Sequence, residues 1–131
     1  MNTPRGIRNN NPLNIKTGEN WLGLAGSDGP FVVFATSGHG IRAAGRILRT
    51  YSERHKRRTI RSIIERWAPP SENNTNAYIQ FVAHKTGLDA DRQLTLDDYP
   101  KLLDAMIQME NGQQPYSLNE IKQGFEWGFN R

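Results

Sequence analysis

Thr95-Leu96-Asp97-Asp98-Tyr99-Pro100-Lys101-Leu102-Leu103-Asp104-Ala105-Met106-Ile107-Gln108-Met109-Glu110-Asn111-Gly112 reads as one helix with both of its ends written in. Thr95 is a capping residue, and Asp97 and Asp98 suit the positive end of a helix dipole. Leu102, Leu103, Met106 and Ile107 recur at the spacing of one buried face, and Asn111-Gly112 supplies the left-handed residue that ends a helix. Glu110 falls three and four residues after Ile107 and Met106, so it carries the buried stripe into the last turn. A carboxyl there is partly stripped of water and lies near the negative end of the dipole. Both effects raise its pKa, which is what a general acid needs to hold its proton near neutral pH. On geometry alone, a last-turn glutamate turned to water stands as the alternative.

Outward from this helix the chain stays helical. Ile41, Ala44, Leu48 and Tyr51 form an apolar stripe in a helix starting near Ser37, with Arg42, Arg46 and Arg49 on its other side. Arg54 to Arg58 has no stripe and reads as a basic connector. Thr59 caps a second helix with Ile60, Ile63, Ile64 and a core Trp67 on one face, and Pro69-Pro70 ends it. The polar loop Ser71 to Thr75 precedes a third helix, Asn76 to about Thr86, whose face is Tyr78, Ile79 and Val82 and which Gly87 stops. Ser117-Leu118-Asn119-Glu120 is a capping box for a last helix bearing Ile121, Phe125 and Trp127. The first thirty residues are turn chemistry: Asn9-Asn10-Asn11-Pro12, Thr17-Gly18, Gly26-Ser27-Asp28-Gly29-Pro30. Phe31-Val32-Val33-Phe34 reads as a short strand. The expected fold is mainly α, about five helices with a short β- and loop-rich N-terminal corner.

At 131 residues the chain has the length of one domain, 1–131. It has no cysteine, which excludes a disulfide framework, thiolate catalysis and thiolate metal sites. No apolar run approaches the roughly 18 residues of a membrane span, and the first residues lack the apolar core of a secretory signal. His39, His55 and His84 fall on different elements, so neither a metal nor a cofactor is expected. The formal charge of +4 is uneven: Arg42 to Arg66 holds nine basic and two acidic residues, +7, and the rest of the chain is −3. Such a segment suits a polyanion, either nucleic acid or a bacterial envelope rich in phosphate and carboxylate. A solvated helical face accounts for it equally well.

Ala105-Met106-Ile107-Gln108-Met109-Glu110-Asn111-Gly112 resembles the catalytic-helix signature of lysozyme-like peptidoglycan hydrolases, an apolar helix ending in Glu, a small or polar residue and Gly. Asn11-Pro12-Leu13-Asn14-Ile15-Lys16, Trp21-Leu22-Gly23, Phe31-Val32-Val33-Phe34 and Gly40-Ile41-Arg42-Ala43 resemble the stretch of that superfamily that builds the floor of the saccharide cleft. The whole chain, with Arg66-Trp67-Ala68-Pro69-Pro70 and Glu72-Asn73-Asn74-Thr75-Asn76-Ala77-Tyr78, is similar to small phage proteins that are virion or lysis components. In the superfamily the acid precedes the cleft floor; here it follows by almost a hundred residues. The resemblance therefore implies an α+β lysozyme-like domain that is circularly permuted.

What it implies for function is cleavage of β-1,4 glycan strands of peptidoglycan, as a muramidase or lytic transglycosylase, with Glu110 as the acid. The enzyme would be made in the host cytoplasm and act on the wall in the periplasm, or travel in the virion. A second carboxylate to activate water or stabilise an oxocarbenium ion would be Asp28, Glu19 or Glu72. Asp28 reads equally as a turn former and Glu72 as a helix cap. Aromatic and amide side chains near these motifs, Asn14, Trp21, Asn73, Tyr78, Gln113 and Tyr116, would bind sugar. The rivals are a catalytically silent lysozyme-like virion component that binds only the wall or neighbouring virion proteins, and a basic nucleic-acid module, which leaves the Asn-Pro, Trp-Leu-Gly and Glu-Asn-Gly motifs unexplained.

Overall fold

The computed structural model describes residues 3–130. Its longest element follows from the period change at Ser37. Helix α2 (Ser37–Arg54) buries Ile41, Ala44 and Leu48, and the Thr36 hydroxyl caps it by accepting the His39 N–H at 3.1 Å. Its main partner is the C-terminal helix α6 (Leu118–Phe129), whose Ser117–Glu120 capping box forms as expected. These two helices touch backbone to backbone. A Cβ on Gly45 would sit 2.7 Å from the Phe125 carbonyl oxygen, and one on Gly128 would overlap the Arg42 carbonyl.

Between them the chain makes three more helices. Helix α3 (Ile60–Trp67) starts on a Thr59–Ser62 capping box, and α4 (Thr75–Thr86) starts on the Asn74 side chain and stops at left-handed Gly87. The helix expected from Thr95 opens instead as a 3-10 turn over Leu96–Asp98, and α5 follows at Tyr99–Asn111. Asp98 is the reason. Its Oδ2 accepts the Thr95 N–H at 2.7 Å and hydroxyl at 3.0 Å and an Arg92 N–H at 3.0 Å, so the cap forms one turn before the α-helix.

The N-terminal corner holds more order than its turn residues suggest. Arg5–Arg8 is a short helix, α1, and Leu24–Asp28 is a strand, β1, where only turns were expected. Strand β1 pairs antiparallel with β2 (Phe31–Phe34), Leu24 opposite Phe34 and Asp28 opposite Phe31, about a turn at Gly29-Pro30. Asn11 organises the loop between: fully buried, it donates to the Ile15 and Val32 carbonyls and accepts the Ile15 N–H, all at 2.9 Å. A buried cluster takes Leu13 and Ile15 from that loop, Val32 and Phe34 from β2, and the apolar faces of α2 to α6. The loop is thus packed onto the body beside the end of α5. Among the described residues no helix is long and apolar enough to cross a membrane.

Candidate active site

The last turn of α5 is fixed from both sides. Gly112 takes a left-handed φ of 73° and its N–H donates to the Gln108 carbonyl at 2.8 Å. The Asn111 amide donates to the Ile107 carbonyl at 3.0 Å and to the Pro12 carbonyl at 2.8 Å, tying the helix end to the Asn11–Asn14 loop. Gly6 in α1 closes the junction, since a Cβ there would lie 2.5 Å from Asn111 Oδ1 and 3.2 Å from Asn14 Oδ1.

Glu110 is half-buried at this junction, and both of its oxygens are held. Asn14 Nδ2 donates to Oε1 at 3.0 Å across 96 residues of sequence, and the Tyr78 hydroxyl donates to Oε2 at 2.9 Å from α4. Asn14 reaches it from a left-handed backbone, φ 53°, a conformation asparagine tolerates better than most residues. Burial pushes the Glu110 pKa up, and the two neutral donors offset only part of that shift. The same burial, with the carboxylate beside it, pushes the Tyr78 hydroxyl well above its ordinary value. Tyr78 is 4 % exposed. It is a holder of Glu110 rather than a sugar platform.

Glu110 opens onto a cavity of about 510 Å³ whose walls include Asn14, Lys16, Phe31, Trp67, Glu72 and Asn73. Of the expected second carboxylates, Glu72 is the one on this wall, with Lys16 Nζ 3.4 Å from its Oε1. Asn73 is beside it, its amide donating to the Pro69 carbonyl at 3.4 Å. Glu19 lines two adjoining cavities, and Trp21 lines the same two. Asp28 is elsewhere, on β1, bonded by the Asn9 amide at 3.2 Å and Arg8 at 3.4 Å. Those partners, Asn9 first, hold its pKa below the usual value, the opposite of what a proton donor needs.

Two expected sugar contacts fall away from the cavity. Gln113 is exposed beyond the helix cap, and Tyr116 packs half-buried against the core. Trp67, expected in the core, instead lies half-buried on the cavity wall. Trp67 is the last residue of α3 and meets the Tyr51 ring edge-on, 6.0 Å between centroids. Sequence reasoning missed Asn11, Gly6 and Asn111 as the scaffold that brings Asn14 to Glu110. Three consecutive asparagines before a proline were the available signal. Among the described residues no group of three or more His, Cys, Asp or Glu is placed to hold a metal ion.

No family model matches the chain. It is similar to the curated protein named "Protein P5" of Pseudoalteromonas phage PM2, at 52% identity over 131 aligned residues that cover 95% of this chain and 82% of that one.

Proposed function

From the premise that the chain belongs to the family of Protein P5 of phage PM2, a phage protein family, we propose that it is a lysozyme-like glycosidase cleaving peptidoglycan, with Glu110 as general acid. The observation that carries this reading is the Glu110 carboxyl itself. It is desolvated, lies on the wall of an open cavity, and is held by donors from two distant parts of the chain. Fold and cleft support it in kind, since a mainly helical body carries a small β corner on one side of the acid. The chain order fits a permuted arrangement, with the Asn14 loop entering first and the acid helix arriving last.

In the reaction, the Glu110 proton passes to the glycosidic oxygen as the bond from that oxygen to the anomeric carbon breaks, the electron pair leaving with the oxygen. Positive charge develops on the anomeric carbon and ring oxygen. Asn14 and Tyr78 then donate to a full carboxylate, which makes those hydrogen bonds stronger in the product state than before transfer. That carboxylate takes a proton from the attacking group, either water or a hydroxyl of the sugar. Glu72, facing the same cavity, is the group available to orient water.

A nucleic-acid module has less behind it, because much of the basic segment is occupied within the protein. Arg61 pairs with Asp91 at 2.7 Å, Arg57 donates to the Ser62 carbonyl at 2.6 Å, Arg58 to Ser52, and Arg49 pairs with Glu53. Purified peptidoglycan treated with wild type, Glu110→Gln and Glu72→Gln tests the proposal, with mass spectrometry of the fragments. Glu110→Gln should lose about 10²–10⁴ in rate. Full activity in Glu110→Gln removes the assignment, and no clearing by wild type leaves the silent wall-binding reading. Glu72→Gln distinguishes a hydrolase, which it disables, from a transglycosylase, which keeps releasing anhydro sugar.

A further inference from the structure

The cavity at Glu110 runs into a second of about 400 Å³, and the two share Leu13, Asn14, Lys16, Trp67, Pro69 and Glu72. Exposure sorts these residues by depth. Leu13 is buried, Asn14 and Trp67 are half-buried, and the Lys16 and Glu72 side chains are 63% and 58% exposed. The first three are floor. Lys16 and Glu72 are rim, and there Nζ and Oε1 meet at 3.4 Å. The two partners come from different walls. Lys16 belongs to the β corner, its backbone bridged to Phe31 of β2, with the Thr17 N–H donating to the Pro30 carbonyl at 2.8 Å. Glu72 belongs to the turn between α3 and α4, where its N–H donates to the Pro69 carbonyl at 3.0 Å. Neighbouring cations keep to their own sides, Arg5 over the Phe31 ring at 4.5 Å and Arg66 over the Tyr51 ring at 5.5 Å.

We propose that the Lys16–Glu72 ion pair is a gate across this groove that makes Lys16 a determinant of the length of glycan that binds, an inference that rests on the glycosidase reading above. With the pair formed, the cavity at Glu110 takes a short fragment by itself. A longer strand passes over Trp67 into the second cavity and crosses the line between Nζ and Oε1, so the pair has to part. Both backbones are held by their own hydrogen bonds, and the gate opens by rotation of two long side chains. An exposed ion pair is weak and is screened by salt. It therefore weighs against entry of a strand without forbidding it. Opening also releases Glu72 Oε1, so the carboxylate available to orient water is freed by the substrate that fills the groove.

Calorimetric titration tests the gate on the full chain, in a Glu110→Gln parent that prevents turnover. The probes are peptide-free glycan strands of peptidoglycan and the single disaccharide unit released from them. Adding Lys16→Gln should tighten strand binding about two- to fivefold at low salt, and the gain should vanish as salt screens the pair in the parent. The sign is diagnostic. Each muramyl unit of a peptide-free strand carries a carboxylate, so losing a lysine that merely attracted it would weaken binding. The disaccharide should bind both proteins alike. Exchanging the charges, Lys16→Glu with Glu72→Lys, re-forms the pair at unchanged net charge and should return strand affinity to the parent value. Both positions are exposed, so thermal melts of these variants should match the parent. Equal or weaker strand binding by Lys16→Gln, an equal gain for the disaccharide, or failure of the exchanged pair to restore the parent value would overturn the gate. Disaccharide binding with no effect of Lys16 on strands leaves the glycosidase reading standing. A protein that binds neither probe loses the gate, and loses the glycosidase reading as well if wild type clears no peptidoglycan.

Discussion

For the proposed acid Glu110 the useful state would be the protonated one, so the sign of the expected pH dependence follows from the direction of its pKa. Burial raises that pKa, and activity should fall as pH rises through the raised value. Tyr78→Phe removes a donor to the charged form, so the carboxyl should hold its proton to still higher pH. The alkaline limb of kcat/KM should then move up by about one unit, because a hydrogen bond to a charged group contributes about 1.5 kcal/mol or more and one unit corresponds to about 1.4 kcal/mol. A limb that stays put would mean Tyr78 only fills space. The candidate acid was legible in the sequence because its position on the stripe depends on a helix's own period. Its two holders were not. Asn14 and Tyr78 reach Glu110 through contacts between elements, and neither the left-handed turn at Asn14 nor the tilt of α4 is encoded in local spacing.

Among the elements, the long helices were readable from caps and stripes, and the short ones were not. Helix α1 has four residues, too few to show a period, and β1 is exposed along its whole length, so Leu24-Ala25-Gly26-Ser27-Asp28 carries no apolar alternation. The α2–α6 contact was illegible for a different reason. It is made by glycines, which leave no mark on an apolar stripe, yet they let the two backbones meet. Gly128→Ala and Gly38→Ala, both in helices, should therefore differ in sign. At Gly128 the new methyl meets the Arg42 carbonyl and backbone nitrogen of Arg46, and overpacking of about 1–3 kcal/mol outweighs a helix-propensity gain of about 1 kcal/mol. At Gly38 the nearest atom is the Thr36 hydroxyl at 3.6 Å, ordinary contact, so the propensity gain remains. Urea midpoints should fall for Gly128→Ala and hold or rise for Gly38→Ala. A Gly128→Ala protein as stable as wild type would mean that the close approach of α2 and α6 is dispensable.

For the whole molecule, carboxyls on opposite sides of their ordinary pKa shape stability with pH. Burial pushes Asp98 up, but the Thr95 N–H and hydroxyl and Arg92 pull it lower overall. A depressed carboxyl contributes stability that is full above its unfolded pKa and is lost as pH falls through the folded one. Arg61 does the same for Asp91, so both act at the acid end. Glu110 has the opposite sign. With its folded pKa above the reference 4.5, the native state binds the proton more tightly than the unfolded chain. Stability is then highest below 4.5 as far as this group is concerned, and falls as pH climbs through the window between 4.5 and the raised value. Glu110→Gln deletes that titration and keeps one acceptor for Asn14 or Tyr78. Thermal melts from pH 4 to pH 8 should show wild type losing stability relative to Glu110→Gln as pH rises, with the difference flat on either side of the window. The slope is the diagnostic quantity, because the fixed offset between the two proteins also contains the new amide's own contacts. Parallel curves across the whole range would mean that Glu110 titrates alike folded and unfolded, and the desolvated acid on which the proposed chemistry depends would be absent.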